Sequence, residues 1–352
     1  MTEGRPPKQE QEPASDEVVE VAPGVLRLQL PVDMPGLGHV NTYAFEDARG
    51  VTLVDPGLPG DESWDALVAR LTTAGLPLRR VHTVVVTHSH PDHYGGVIRL
   101  VEETGAAVLA HAAFQVWLLP HEHPVESEPV AVGEEVESSL VPPWLRLTPW
   151  AGTPFDSPRA IEDRERAAWY PPPPTERLVD GQMLELAGRE WFVRHTPGHT
   201  VDHVCLHDPT EGVLVSGDHV LPTITPHISG LPPGVDPLAA FFSSLDAMAA
   251  TPGVQVVLPA HGHPFADLVG RVEAIKAHHE ERLQALADTS AARGWATVTD
   301  LSHEIFRPRA WGSMAESETY AHLEHLRLLG WAERRADDGV LSYLVDRGPR
   351  SP

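Results

Sequence analysis

The ten residues Thr87-His88-Ser89-His90-Pro91-Asp92-His93-Tyr94-Gly95-Gly96 constrain this chain more than any other stretch. Three histidines and an aspartate fall within six positions, directly after the β-branched run Val84-Val85-Val86. A buried strand that hands four donors to the loop at its end builds a metal site on a rigid edge. On an extended backbone His88 and His90 point to one side. Pro91 ends the strand, and Gly95-Gly96 lets the backbone turn tightly into a helix. The alternative is a surface loop that happens to be rich in histidine, and it weakens if the rest of the chain supplies further donors.

The rest of the chain does supply them. Strand-like runs at 25–30, 40–45 and 51–54 read as a meander whose last member ends in Asp55-Pro56-Gly57. Helical spacing over 62–74, the strand at 81–87, a helix over 94–104 and a strand at 106–110 continue an α/β pattern. Later strands are expected at 183–186, 191–195, 204–207, 213–215 and 254–258, with helices over 236–250 and 264–288. Four strands therefore end in a loop carrying His or Asp: the opening cluster, His199, Asp218 and His261. Gathered at one sheet edge, they offer seven N/O donors and no thiolate. That exceeds one tetrahedral zinc and suits two metal ions sharing a carboxylate.

Composition narrows the partners. The net charge is −24 and the lysines are Lys8 and Lys276 alone, so nucleic acid is disfavoured as a partner. The single cysteine, Cys205, lies in the apolar run Val204-Cys205-Leu206 and reads as a small core residue. No apolar run reaches the roughly 20 residues that span a bilayer, and residues 1–17 are polar, so a disordered tail on a cytoplasmic protein without membrane contact is expected. Between 120 and 175 the chain changes character, with twelve prolines and Trp144, Trp150 and Trp169. Such proline density does not sustain long helices or central strands. This insertion is expected to wall a pocket; the alternative is that it covers a surface or pairs subunits in a homo-oligomer.

With these residues in view, the chain resembles the metallo-β-lactamase superfamily. The signature H-x-H-x-D-H is matched by His88 to His93, and Gly198-His199-Thr200, Ser216-Gly217-Asp218 and Ala260-His261-Gly262 follow in the family's order. The resemblance implies an αββα sandwich with the metals at one edge, over a catalytic domain expected at 18–287. It implies two divalent ions, zinc first, with iron or manganese also compatible with His/Asp donors. His88, His90 and His199 would bind one ion and Asp92, His93 and His261 the other, with Asp218 bridging and Asp92 also handling the proton of the attacking water. Asp55 resembles the aspartate that steadies the ligand loop. His203, His219 and His263 match no ligand position.

Residues 288–347 carry helix, helix, hairpin patterns and resemble the C-terminal winged helix of the lactamase-β-2-like branch. Its seven arginines face nine acids over 290–347, so DNA is not expected as a partner. The segment after Asp218 also looks like that branch, and Thr225 and His227 are weak candidates for substrate contact. The resemblance implies hydrolysis of a small carboxyl derivative, whether thioester, ester or lactone, with a metal-dependent endoribonuclease as the alternative.

Overall fold

The computed structural model describes residues 8–34, 36–115, 171–231, 234–337 and 340–349. Period-two burial organises the molecule into layers. In β5 (Val81–Val86), Val84 and Val86 pack with one core cluster while Val85 packs with another. In β10 (Val204–Asp208) and β11 (Val213–Gly217), Val204, Leu206, Val213 and Val215 face inward; Cys205 and Leu214 face the opposite side. Strands apolar on both faces are what a sheet covered on both sides requires.

The first sheet has seven strands in chain order, β1 (Val18–Ala22), β2 (Val25–Met34), β3 (Leu37–Glu46), β4 (Val51–Val54), β5, β6 (Ala107–His111) and β7 (Glu176–Leu178). The second has five, ordered β12-β11-β10-β9-β8, where β8 is Met183–Leu186, β9 Arg189–His195 and β12 Val256–Pro259. Tyr43, Phe45, Val54, Val85, Trp191, Val193 and Leu258 fill the space between the sheets, and Phe45 meets Trp191 edge to face at 5.0 Å.

Helices α1 (Asp61–Thr73) and α3 (Val97–Thr104) cover the first sheet through Trp64, Leu67, Leu71, Val97 and Leu100. The second sheet is covered by α4 (Pro237–Ala249) and α5 (Leu268–Arg293) through Leu238, Phe241, Val272 and Ile275. The result is the αββα sandwich. A short helix α2 (Pro91–Tyr94) carries Asp92 and His93 directly after β5.

After α5 come β13 (Ala296–Thr297), α6 (Val298–Ile305), α7 (Ser313–Leu328) and the hairpin of β14 (Ala332–Asp337) and β15 (Val340–Val345). The three strands form a separate sheet, β13-β15-β14. Thr297 closes a capping box with Asp300 at the start of α6. Leu301, Tyr320, Leu323, Leu326 and Tyr343 join the core beneath α4 and α5, so this unit packs on the sandwich.

Three expectations need correction. Residues 8–17 are not a loose tail: Gln9–Gln11 forms a 3-10 turn, Glu10 is fully buried, and Ser15 N–H donates to Gln29 Oε1 at 3.0 Å. The helix expected from 264 begins at Leu268, because Phe265 pairs with Val257 and Asp267 caps the helix by accepting from Gly270 N–H. The boundary expected at 287/288 falls inside α5, which is continuous from the sandwich into the C-terminal unit. The 120–175 insertion lies outside the described residues except at its last five positions, where Thr175 N–H bonds to Val108 O at 2.8 Å.

Candidate metal centre

Parallel pairing sets the strand ends level. β4 pairs with β5 (Val54 opposite Val85) and β11 with β12 (Gly217 opposite Pro259), so Asp55, Thr87–His93, Asp218 and His261 leave the sandwich at one edge. The two sheets meet there: Val204 N–H donates to Thr87 O at 2.9 Å, and Asn41 N–H to Ala260 O at 2.6 Å. Gly198 allows the His199 loop to lie against α4, since a Cβ there would come within 2.4 Å of Phe241 Cβ.

Side chains from these loops converge in two groups, His88, His90, His199 and Asp218 in one, and Asp92, His93 and His261 in the other. Within each, one donor atom per residue lies within 4.8 Å of the rest. His88 Nε2 and His199 Nε2 are each 3.0 Å from His90 Nδ1. Asp218 faces both groups: Oδ2 is 3.5 Å from His199 Nε2, while Oδ1 is 3.3 Å from His261 Nε2 and 3.7 Å from His93 Nε2. Asp92 Oδ2 is 3.4 Å from His261 Nε2 and 3.5 Å from His93 Nε2.

Outer contacts decide which ring nitrogen looks inward. His88 Nδ1 lies 3.0 Å from Thr87 Oγ1, His93 Nδ1 2.8 Å from Asp55 Oδ2, His199 Nδ1 2.7 Å from His227 O, and His261 Nδ1 2.6 Å from His39 O. Acceptors at Nδ1 hold its proton there, so Nε2 is the nitrogen directed at the site. Asp55 has φ +56°, and its carboxylate also accepts from Thr87 N–H at 2.8 Å and Thr87 O–H at 2.7 Å.

The residues fit divalent ions. His93 Nε2, His261 Nε2 and Asp218 Oδ1 are buried without a protein hydrogen-bond partner, a costly arrangement for polar atoms unless something else coordinates them. Burial opposes charge on His93 and His261. The carboxylates around them nevertheless hold His93 well above its usual value and push His261 up to about 10. Burial would raise Asp92 and Asp218, but the facing imidazoles keep both carboxyls below the ordinary range. In the other group, burial and neighbouring imidazoles push His90 down to about 3 and His88 well below its ordinary value. His88 and His90 are thus neutral and Asp92 and Asp218 ionised, the states that bind metal, whereas His93 and His261, charged beside the carboxylates, would each give up a proton to an incoming ion.

Several further side chains were assigned no ligand role by the sequence. His203 accepts the Asp218 N–H at Nε2 (3.0 Å) while its Nδ1 lies 2.7 Å from Thr196 Oγ1. Asp202 accepts from Ser89 O–H at 3.0 Å, bracing the residue between His88 and His90. His263 bonds to Arg27 and Glu12, and His219 is buried beside Phe241. Of the weak substrate candidates, His227 is engaged by the scaffold, its ring Nδ1 lying 3.0 Å from Glu318 Oε2 of α7; Thr225 is half-buried on the same loop. His279, Glu318 and His322 form another donor group. There, however, Arg282 already pairs with Glu318, His227 bonds to it, and His279 bonds to His322 at 3.0 Å.

Comparison with known proteins fits this geometry. Residues 35–261 match the model of the metallo-beta-lactamase superfamily. A metallo-beta-lactamase family protein of Thermus thermophilus is 31% identical, with 93% of this chain and 100% of that one covered at a TM-score of 0.71. The human acyl-coenzyme A thioesterase MBLAC2 is 34% identical over 142 residues, 40% of this chain and 42% of that relative, so the match spans less than half its length. An atrochrysone carboxyl ACP thioesterase of Aspergillus terreus is 24% identical over 358 residues, covering 96% of this chain and 87% of that one.

Proposed function

Because this chain belongs to the metallo-β-lactamase superfamily, we propose that it hydrolyses thioesters with two divalent ions, zinc in the first place. The observation that carries this reading is Asp218, whose two oxygens face separate donor groups. His88, His90 and His199 would hold one ion, and Asp92, His93 and His261 the other. Such ions, when bound, lower the pKa of water towards about 7 and polarise a carbonyl oxygen.

The protein's part is placement. Asp55, Thr87, His39 and His227 hold the imidazole tautomers, and His203 holds the Asp218 backbone. Asp92, 3.4 Å from His261 Nε2, is the carboxylate we assign to orient the attacking water and carry its proton towards the leaving thiol. Cys205 is no competing nucleophile, since burial pushes its thiol up to about 12. We read the C-terminal unit as a winged-helix-like cover: Ser317 Oγ accepts from Gly230 N–H at 2.9 Å and Glu318 holds His227, so α7 braces the loop that follows Asp218.

Thioesters rank above esters and lactones because relatives that match at either end of the coverage range carry thioesterase names. The test is a parallel assay of the zinc-loaded protein on acyl-coenzyme A, carrier-protein and glutathione thioesters, a lactone and a short RNA. Asp92→Ala is the control. Thioester cleavage that the variant lacks is expected; RNA cleavage with inert thioesters would overturn the assignment.

A further inference from the structure

The N-terminal segment reaches the metal edge and grips two of its loops at once. Glu10 Oε1 accepts from Thr223 N–H at 2.7 Å and Ile224 N–H at 3.0 Å, and its Oε2 accepts from the Thr223 hydroxyl. Both backbone donors belong to the loop after Asp218. Gln9 Oε1 accepts from His263 N–H at 3.2 Å, in the loop that carries His261. A fully buried carboxylate at 0% exposure is expensive unless its lone pairs are used, and here each oxygen is.

The second grip passes through His39. The Glu12 carbonyl accepts from His39 Nδ1 at 2.7 Å, which leaves Nε2 to accept from Gly262 N–H at 3.0 Å. Gly262 presents a donor, so this imidazole has one tautomer compatible with both contacts. The His39 carbonyl in turn accepts from His261 Nδ1 at 2.6 Å. Gly38 makes the approach possible: a Cβ there would sit 2.3 Å from the Glu12 carbonyl oxygen.

We propose that residues 9–12 and His39 are positioning residues for the ion held by Asp92, His93 and His261, setting the orientation of His261 from the far end of the chain. This inference rests on the two-ion reading above. Without Glu10 the segment loses its anchor on the loop after Asp218, and the Glu12–His39–Gly262 relay loosens with it. His88 takes its outer contact from Thr87, away from this segment, and the His227 carbonyl that holds His199, although on the loop that Glu10 anchors, is also braced there by Glu318, so the other ion loses less.

The test is zinc competition against a chromophoric chelator on the full chain, beside thermal unfolding of the metal-free protein. The wild type is expected to hold two ions. Glu10→Ala and His39→Ala should bind one ion about 10-fold more weakly, the lower end of what outer-shell partners contribute, and the other with a clearly smaller loss. Glu10→Gln should stay near wild type, because its oxygen can accept from both backbone N–H groups and its amide can donate to the Thr223 hydroxyl. If Glu10→Ala does not fold, Glu10→Asp, one methylene shorter, carries the same test. Wild-type affinities for both ions in both alanine variants would overturn the inference and leave the two-ion reading standing. A wild type that binds one ion overturns that reading, and the inference with it.

Discussion

Exchanging Asp55 for asparagine should damage both donor groups while removing only one negative charge. Asp55 Oδ2 accepts from His93 Nδ1 at 2.8 Å and from the Thr87 hydroxyl at 2.7 Å, and that hydroxyl oxygen lies 3.0 Å from His88 Nδ1. One carboxylate thus holds the Nδ1 proton on an imidazole of each group. An amide nitrogen at the same place is a donor. It would face the His93 N–H directly and turn the Thr87 hydroxyl to donate towards His88, favouring tautomers with the proton on Nε2, where a metal would bind. Losing an outer-shell partner costs about 10–100-fold in affinity, roughly 1.4–2.7 kcal/mol per ion. An asparagine exchange that reverses a catalytic imidazole's tautomer costs on the order of 10⁴ in rate. The expected result for Asp55→Asn is therefore weakening of both ions in chelator competition by about 10-fold or more each, and a loss of thioester turnover beyond what restored zinc repairs. The fold should survive, since Thr87 N–H keeps its acceptor at Oδ1. Binding of both ions within twofold of wild type would refute the tautomer argument.

Removal of metal by chelation should abolish hydrolysis and lower the unfolding temperature. A ligand at 1,000 times its Kd stabilises by about 4 kcal/mol, and titration back with zinc, followed by activity and unfolding together, checks both. Asp218→Asn should weaken both ions and Asp92→Asn mainly one, a difference readable by metal analysis after equilibrium dialysis; equal stoichiometries in the two variants would count against Asp218 as the shared ligand. The stability of the C-terminal unit should fall in acid. Burial, with Arg282 and against Glu318, pushes His322 down to about 4 from 6.5. The unfolded chain then binds more protons between those values, so stability rises with pH across that window and falls on acidification. At about 1.4 kcal/mol per pKa unit this amounts to roughly 3 kcal/mol at the acid end. Urea unfolding of metal-free protein at pH 4.5 and 7 should show a shallower difference in His322→Gln than in the wild type.

Much of the sandwich was legible because it is written in local patterns. Alternation in Val84-Val85-Val86 and Val213-Leu214-Val215 marks strands that divide their side chains between two covered faces. The spacing of His88, His90, Asp92 and His93 after β5 also follows from one strand and its following turn. Other features did not read through. Gln9-Glu10-Gln11-Glu12 looks like any solvated polar stretch, and only its burial against Thr223 shows otherwise. Pro264 looks like a helix start, yet pairing of Phe265 with Val257 delays the helix to Leu268. Membrane crossing is addressed by structure as well: among the described residues, no helix is long and apolar enough to span a bilayer.

Taken by itself, the amino-acid sequence determines which donors exist and which strand end each occupies, because a strand and the loop after it are contiguous in the chain. Tertiary structure alone decides which nitrogen each histidine presents and what holds it there. Some partners that settle this come from afar: His227 O meets His199 across 28 positions and His39 O meets His261 across 222, and Glu10, which anchors the loop carrying His227, meets Thr223 across 213. A hydrogen bond fixes a tautomer through one acceptor at one distance, and nothing in the spacing or periodicity of a sequence specifies an acceptor two hundred residues away.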